Sequence, residues 1–295
     1  MGQIEARGLV RTFGEVRAVD GVDLVVRPGG LTGFVGGNGA GKTTTMRMVM
    51  GLLRPDAGEV LWDDRPMTDA DRRRFGYMPE ERGLYPKQKV ADQLAYLGRL
   101  SGMTTAAARE AVDRHLERFD LGDRAGDRVE ALSLGNQQRV QIIAALLHGP
   151  AALVLDEPFS GLDPAAVDAM ADILRDHAAS GVPVLFSSHQ LDLVERLCDH
   201  LIVLARGRVV AQGAVDDLRA GGPSRFRLVT DADLGWVRDV RGIHVHDVDG
   251  SAALLELLTD GADQAVLREA LERGAVREFT RVVPPLAEVY REVTA

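Results

Sequence analysis

The apolar run Leu31-Thr32-Gly33-Phe34-Val35 leads directly into Gly36-Gly37-Asn38-Gly39-Ala40-Gly41-Lys42-Thr43-Thr44, and the helix-patterned residues Met46, Val49, Met50 and Leu53 follow. A strand, a glycine-rich loop and a helix start in that order form a phosphate-binding loop, which implies a nucleoside triphosphate as ligand. Glycines let the backbone curl with its N–H groups pointing inward, and the new helix adds the positive end of its dipole. Lys42 supplies a point charge for the β- and γ-phosphates, and the Thr43 hydroxyl suits Mg²⁺, which takes few protein ligands.

The rest of the composition bounds what surrounds this unit. With 295 residues and 45% apolar content, the chain can build a large core, with length for one sizeable domain and a small one. No apolar run approaches the ~18 to 20 residues that cross a bilayer, and the N-terminal residues lack a signal peptide's apolar segment, so a cytoplasmic protein is expected. The single cysteine, Cys198, has no internal partner and falls among Leu193, Val194, Leu197 and Ile202, a helical pattern that makes it a small core residue. A net charge of −9 argues against non-specific nucleic-acid binding.

Along the chain, Val19, Val22, Leu24 and Val26 alternate as in strands, with turn signals at Asp20-Gly21 and Arg27-Pro28-Gly29, which predicts an antiparallel edge before the loop. From Asp92 to Gly149 the pattern is helical, with Ala108, Val112, Leu116 and Phe119 on one face and a second helix from about Asn136 to Leu147. Strand patterns return at Ala152–Leu155, 184–186 and 201–204, separated by a helix that Asp163-Pro164 would start. Strands alternating with helices around such a loop imply a parallel sheet covered on both faces. Arg219-Ala220-Gly221-Gly222-Pro223-Ser224 reads as a linker. After it, strands near 225–229, 243–248, 252–258 and 276–283, a helix through Val266 and Leu271, and a last helix with Leu286, Val289 and Tyr290 predict a small α+β module. The expected organisation is a P-loop NTPase core over 1–220, with an α-helical subdomain at about 90–150, and an α+β domain over 221–295.

A second set of motifs narrows the chemistry. The strand 152–155 ends in Asp156-Glu157-Pro158, placing two carboxylates where open α/β sheets bind ligands. Asp156 would hold Mg²⁺ and Glu157 would reach the water that attacks the γ-phosphate. The strand Val184-Leu185-Phe186-Ser187-Ser188 ends at His189; taken alone, that histidine reads as structural more readily than as catalytic.

The ordered set of P-loop, Leu132-Ser133-Leu134-Gly135-Asn136-Gln137-Gln138-Arg139, Leu153 to Pro158, Ser160-Gly161-Leu162-Asp163 and Ser188-His189 resembles the ATP-binding subunit of an ABC transporter over roughly residues 1 to 215. The Leu-Ser-x-Gly-x-Gln signature is what makes the resemblance specific. It implies that Phe13 stacks on adenine, that Ser133, Gly135 and Gln137 close over the γ-phosphate of ATP held by a partner subunit, that Asp163 couples the two sites, and that His189 contacts the γ-phosphate. It therefore implies a head-to-tail pair with a second ATP-binding subunit, either the same chain or a paralogue.

Two positions depart from the usual pattern. Glu80 stands in Gly76-Tyr77-Met78-Pro79-Glu80-Glu81-Arg82-Gly83-Leu84-Tyr85-Pro86 where most members carry glutamine; a carboxylate there can still take a Mg²⁺-bound water. Leu134 and Asn136 replace commoner glycines. The segment from Glu80, the signature and the C-terminal module together resemble bacterial sodium- and antibiotic-efflux ATPases, which implies a separate membrane permease as partner and a place on the inner face of the membrane. Two other classes are set against this one. Soluble ABC ATPases of ribosomes or DNA usually carry tandem cassettes or coiled coils, whereas this chain has one cassette and no heptads. A non-hydrolysing regulatory subunit is opposed by Lys42, Asp156, Glu157 and His189, while Glu80 speaks weakly for it.

Overall fold

The computed structural model describes residues 2–81, 83–220, 224–282 and 285–294. They divide into two compact units, one over residues 2–214 and one over residues 215–293.

The first unit opens with β1 (Ile4–Phe13) and β2 (Val16–Val26), paired antiparallel. β2 runs unbroken through Asp20-Gly21, where the turn pair predicts a strand end. Gly21 at φ +70° and Gly8 on β1 at φ +59° sit at shifts in the pairing register, so the ladder bulges instead of stopping. Next come β3 (Leu31–Val35), α1 (Lys42–Val49), β4 (Ala57–Trp62), β5 (Arg65–Pro66), α2 (Asp69–Arg72) and β6 (Phe75–Met78). The helical block is α3 (Val90–Leu100), α4 (Thr105–Arg118) and α5 (Leu134–Leu146). β7 (Ala152–Leu155), α6 (Pro164–Ala179), β8 (Val184–Ser188), α7 (Leu191–Leu197), β9 (His200–Ala205) and β10 (Arg208–Ala214) complete the unit.

One sheet has the order β2-β1-β4-β5 and is antiparallel; the other has the order β10-β9-β3-β8-β7-β6. In the second sheet the five strands from β9 to β6 run parallel, and β10 pairs antiparallel at the edge. Every residue of β3, β7 and β8 is buried, as continuous apolar strands covered on both faces require. Phe34, Val154 and Leu185 join Ile4, Leu24 and Trp62 in one core between the sheets.

Two helix boundaries differ from the pattern reading. α5 begins at Leu134 instead of Asn136, because Ser133 Oγ caps it by accepting from the Asn136 N–H at 3.3 Å. α7 stops at Leu197, so Ile202 lies on β9 and not on the helix with Cys198. Cys198 is buried at the helix end, and burial pushes its thiol pKa well up, leaving it unreactive.

The second unit begins with α8 (Val215–Ala220), so Arg219 and Ala220 are helical where composition reads a linker; Gly221, Gly222 and Pro223 lie outside the described residues. It continues with β11 (Arg225–Thr230), β12 (Ile243–Asp249), β13 (Ala252–Leu257), α9 (Ala262–Arg273), β14 (Val276–Val282) and α10 (Leu286–Thr294). Val283, the expected end of β14, also lies outside the described residues. The strands form one antiparallel sheet in the order β12-β13-β11-β14. Leu228 and Leu255 of the sheet pack with Val266 and Ala270 of α9, closed by Leu234 and Val237. Among the described residues no helix is long and apolar enough to cross a membrane.

Candidate functional site

β3, β8 and β7 lie side by side, with Val35 paired to Ser188 and Leu155 to Phe186. The residues just beyond their C-terminal ends are the glycine-rich loop, His189 and Asp156-Glu157, and they meet at one edge of the sheet. That end is where open α/β sheets bind ligands. A cleft of about 890 Å³ opens there, and its walls include Phe13, Asn38 to Thr44, Glu80, Gln138, Asp156, Glu157 and His189.

The loop is shaped by close approach. Gly41 has φ +106°, and a Cβ on it would stand 2.5 Å from the Ala18 carbonyl oxygen, so no other residue fits there without rearrangement. Gly36 is as confined, with the Leu204 carbonyl oxygen 2.4 Å from where its Cβ would be. Gly36 and Gly37 stand behind the cleft: the buried Lys42 Nζ donates to their carbonyls at 2.7 and 3.4 Å. Asn38, Gly39, Ala40, Gly41, Thr43 and Thr44 face the cleft, where α1 starts at Lys42. The first N–H groups of a helix have no intrahelical partner, so this end of α1 favours an anion.

Asp156 is 1% exposed. Its Oδ1 accepts from Ser187 Oγ at 2.5 Å, and the same hydroxyl oxygen accepts from the Glu157 N–H at 2.8 Å. Asp156 Oδ2 has no hydrogen-bond partner among the described residues. A buried carboxylate oxygen without a donor is costly unless a cation completes it, and with the Thr43 hydroxyl and Glu80 on the same cleft the donor set is the hard-oxygen kind that suits Mg²⁺. Glu157 adopts φ +52°, a left-handed conformation uncommon outside glycine. It is fixed from both sides: its N–H by Ser187, and its carbonyl by Gln138 Nε2 at 2.9 Å. The Glu157 side chain is 13% exposed, and its Oε2 lies 3.0 Å from Nδ1 of the half-exposed His189. Phe13 is 47% exposed on the wall of the cleft, with the Arg11 guanidinium 5.0 Å from its ring centre. Glu80, exposed, follows the end of β6 by two residues.

Ser133, Gly135, Gln137 and Asp163 are not brought into this cleft. Ser133, Gly135 and Asp163 line a second one of about 320 Å³, with Asn136, Arg139 and Leu162. There Ser133 caps α5, and Asp163 caps α6 by accepting from the Ala166 N–H at 2.8 Å. A Cβ on Gly135 would meet the Gly161 carbonyl oxygen at 3.3 Å, so the two loops touch. Gln137 turns away from both clefts, its Nε2 donating to the Leu132 carbonyl at 3.0 Å.

Two contributors escaped the sequence reading. Ser187, wholly buried, locks the two acidic residues together; a hydroxyl beside Ser188-His189 in an otherwise apolar strand was its only signal. Gln138 follows Gln137 directly and supports the strained Glu157 through Glu157 and Pro158 carbonyls at 2.9 and 3.0 Å.

Residues 19–160 match the family model of ABC transporters, and residues 213–294 match that of the C-terminal domain of DrrA1-3-like ATP-binding proteins. YhaQ of Bacillus subtilis, described as an uncharacterized ABC transporter ATP-binding protein, is 40% identical over 285 residues, 96% of each chain. The Nod factor export ATP-binding protein I of Burkholderia lata is 39% identical over 72% of this chain and 70% of its own. A solved ATP-binding subunit of an ABC transporter superposes with a TM-score of 0.68 at 32% identity, covering 74% of this chain and 92% of that one. Sequence likeness over almost the full length and the same cassette fold agree, and the chain belongs to the ATP-binding proteins of ABC transporters.

Proposed function

We propose that this chain is the ATP-hydrolysing subunit of an exporter, driving a substrate across the cytoplasmic membrane through a separate permease and working in a pair with a second ATP-binding subunit, either a copy of itself or a paralogue. The observation that carries the chemistry is the Glu157–His189 contact of 3.0 Å at the end of two adjacent strands, beside the unpartnered Asp156 oxygen and the P-loop. The direction of transport rests on the likeness to the Nod factor export protein.

The substrate of the reaction is ATP. Lys42, already held by loop carbonyls, presents its charge to the β- and γ-phosphates, and the N–H groups of the loop and the first turn of α1 receive their oxygens. Thr43, Asp156 and Glu80 would hold Mg²⁺, which neutralises charge on the phosphates. Glu157 accepts a proton from the attacking water, and His189 fixes the carboxylate that does so and reaches towards the γ-phosphate. Phe13 offers its ring to the base. Ser133, Gly135 and Gln137 serve the ATP of the other subunit, with Asp163 coupling the sites; the placement of Ser133, Gly135 and Asp163 in a cleft apart from the P-loop supports this division. Cleavage puts like charges on ADP and phosphate, and the pair reopens.

The permease docks against the helical subdomain, where Tyr77, Leu84, Leu97, Leu100 and Ala144 line an apolar groove of about 380 Å³. Docking there holds the chain on the inner face of the membrane. The test is affinity purification of a tagged Glu157→Gln chain from its native cells with ATP and Mg²⁺, identifying the accompanying proteins by mass spectrometry. A polytopic membrane protein together with a second ATP-binding subunit is the expected result. Ribosomal or DNA-bound proteins in its place would overturn the exporter reading.

A further inference from the structure

The chain carries three lysines among its 35 basic residues, and their placement is not even. Lys42 is buried in the loop, so Lys87 and Lys89 are the two exposed lysine amines of the molecule, and both line one cleft of about 500 Å³ on the helical subdomain. Arg128 and Tyr96 line it as well, and Asp92 is the single carboxylate among its lining residues. The cleft is held by backbone: Lys89 and Arg128 form an antiparallel bridge, flanked by bonds from Val90 N to Asp127 O at 3.0 Å and from Glu130 N to Pro86 O at 2.9 Å. Arg128 lies 3.8 Å from the Glu130 carboxylate, whereas neither Lys87 nor Lys89 has an ion-pair partner among the described residues.

α3 separates this basic cleft from the apolar groove. Its Asp92 and Tyr96 line the first, while Leu97 and Leu100 line the second. A segment lying along α3 would therefore meet an apolar wall and a cationic one side by side. We infer that the Lys87–Lys89–Arg128 cleft receives an acidic flank of the permease's cytoplasmic docking segment, so that charge sets the register of a contact whose grip is apolar; this rests on the permease reading above. An acidic protein segment fits better than an anionic bilayer. The cations lie in a concave site, and a chain of net charge −9 is repelled by a negatively charged surface, whereas a local contact within the ~8 Å screening length feels the cleft alone.

Lysine chemistry gives a selective test. Inverted membrane vesicles from the native cells, stripped of peripheral proteins, are incubated with the purified full chain and treated with a carbodiimide that joins carboxylates to amines at zero length. The expected result is a coupled membrane protein mapped to Lys87 or Lys89. The double variant Lys87→Arg, Lys89→Arg keeps retention on vesicles and loses the adduct. Lys87→Glu, Lys89→Glu loses retention by at least about tenfold, with the ATPase rate and thermal midpoint of the free chain unchanged. Equal retention of the charge-reversed and original chains would overturn the inference and leave the permease reading standing. Equal retention by protein-free phosphatidylglycerol vesicles would assign the cleft to lipid and overturn it too. If stripped vesicles hold none of these chains, the permease reading falls, and the inference with it.

Discussion

The parallel sheet and the helical subdomain hold their functional groups in opposite ways. At the sheet, Asp156, Glu157 and His189 follow strands that are buried along their whole length, and one buried hydroxyl, Ser187, ties two of them together. In the helical subdomain, Ser133 and Gly135 stand at an exposed helix start, and the lysines and the apolar groove lie at its surface. On the function proposed above, the carboxylates and histidine that handle the attacking water follow buried strands, while the groups that meet another protein are displayed at the surface of the helices. Chemistry and docking are thereby assigned to different kinds of support.

The largest effect should come from the sheet. Glu157→Gln is expected to lower turnover by about 10²- to 10⁴-fold while leaving nucleotide affinity within a few-fold, as loss of a positioned base requires. A steady-state ATPase assay beside equilibrium nucleotide binding decides it, and retained turnover would sink the assignment of the base. On the helical side, His115 of α4 is buried, and desolvation, helped by the Arg114 charge, pulls its pKa down to about 4. The folded state disfavours the imidazolium, so the unfolded chain binds the proton first. Stability is full above the ordinary pKa of 6.5 and falls as pH drops through 6.5 towards 4, by on the order of 2 kcal/mol. His115→Leu should flatten that fall in thermal midpoints measured between pH 7 and 4.5; parallel curves would show that other groups cause it.

Ser187→Ala should cost about 1–3 kcal/mol of stability, because it leaves the buried Glu157 N–H and Asp156 oxygen unpaired. Denaturant unfolding measures the loss, and an unchanged midpoint would mean that water replaces the hydroxyl. Ser133→Ala should cost only about 1 kcal/mol through the lost cap of α5. Its ATPase rate should nonetheless fall with protein concentration held constant, while nucleotide binding by the single chain stays as it was. A variant that turns over at the original rate would argue that the second cleft takes no part in hydrolysis.

Much of this molecule could be read from order along the chain. A glycine loop between an apolar strand and a helix needs no partner to be recognised, because its function is a property of local backbone, and the strands 152–155 and 184–188 announced themselves as unbroken apolar runs. Local signals mislead where strand pairing outweighs them. Asp20-Gly21 signals a turn, yet β1 holds β2 in register on both sides of it. Ile202 continues a helical spacing, but hydrogen bonding to β3 makes it a strand residue. Arg219 and Ala220 look like linker because glycine and proline follow, though they finish a helix.

The sequence by itself determined the kind of ligand and the family, since these depend on contiguous residues whose backbone conformation and chemistry are local. Only the tertiary structure decided which separated segments share a cleft. Ser187 lies 31 residues beyond Asp156 and holds it through a hydrogen bond between neighbouring strands, while Lys89 and Arg128 face one another through a single bridge. The order of strands in a sheet is set by how all the apolar faces pack at once, and no stretch of the chain carries that information alone.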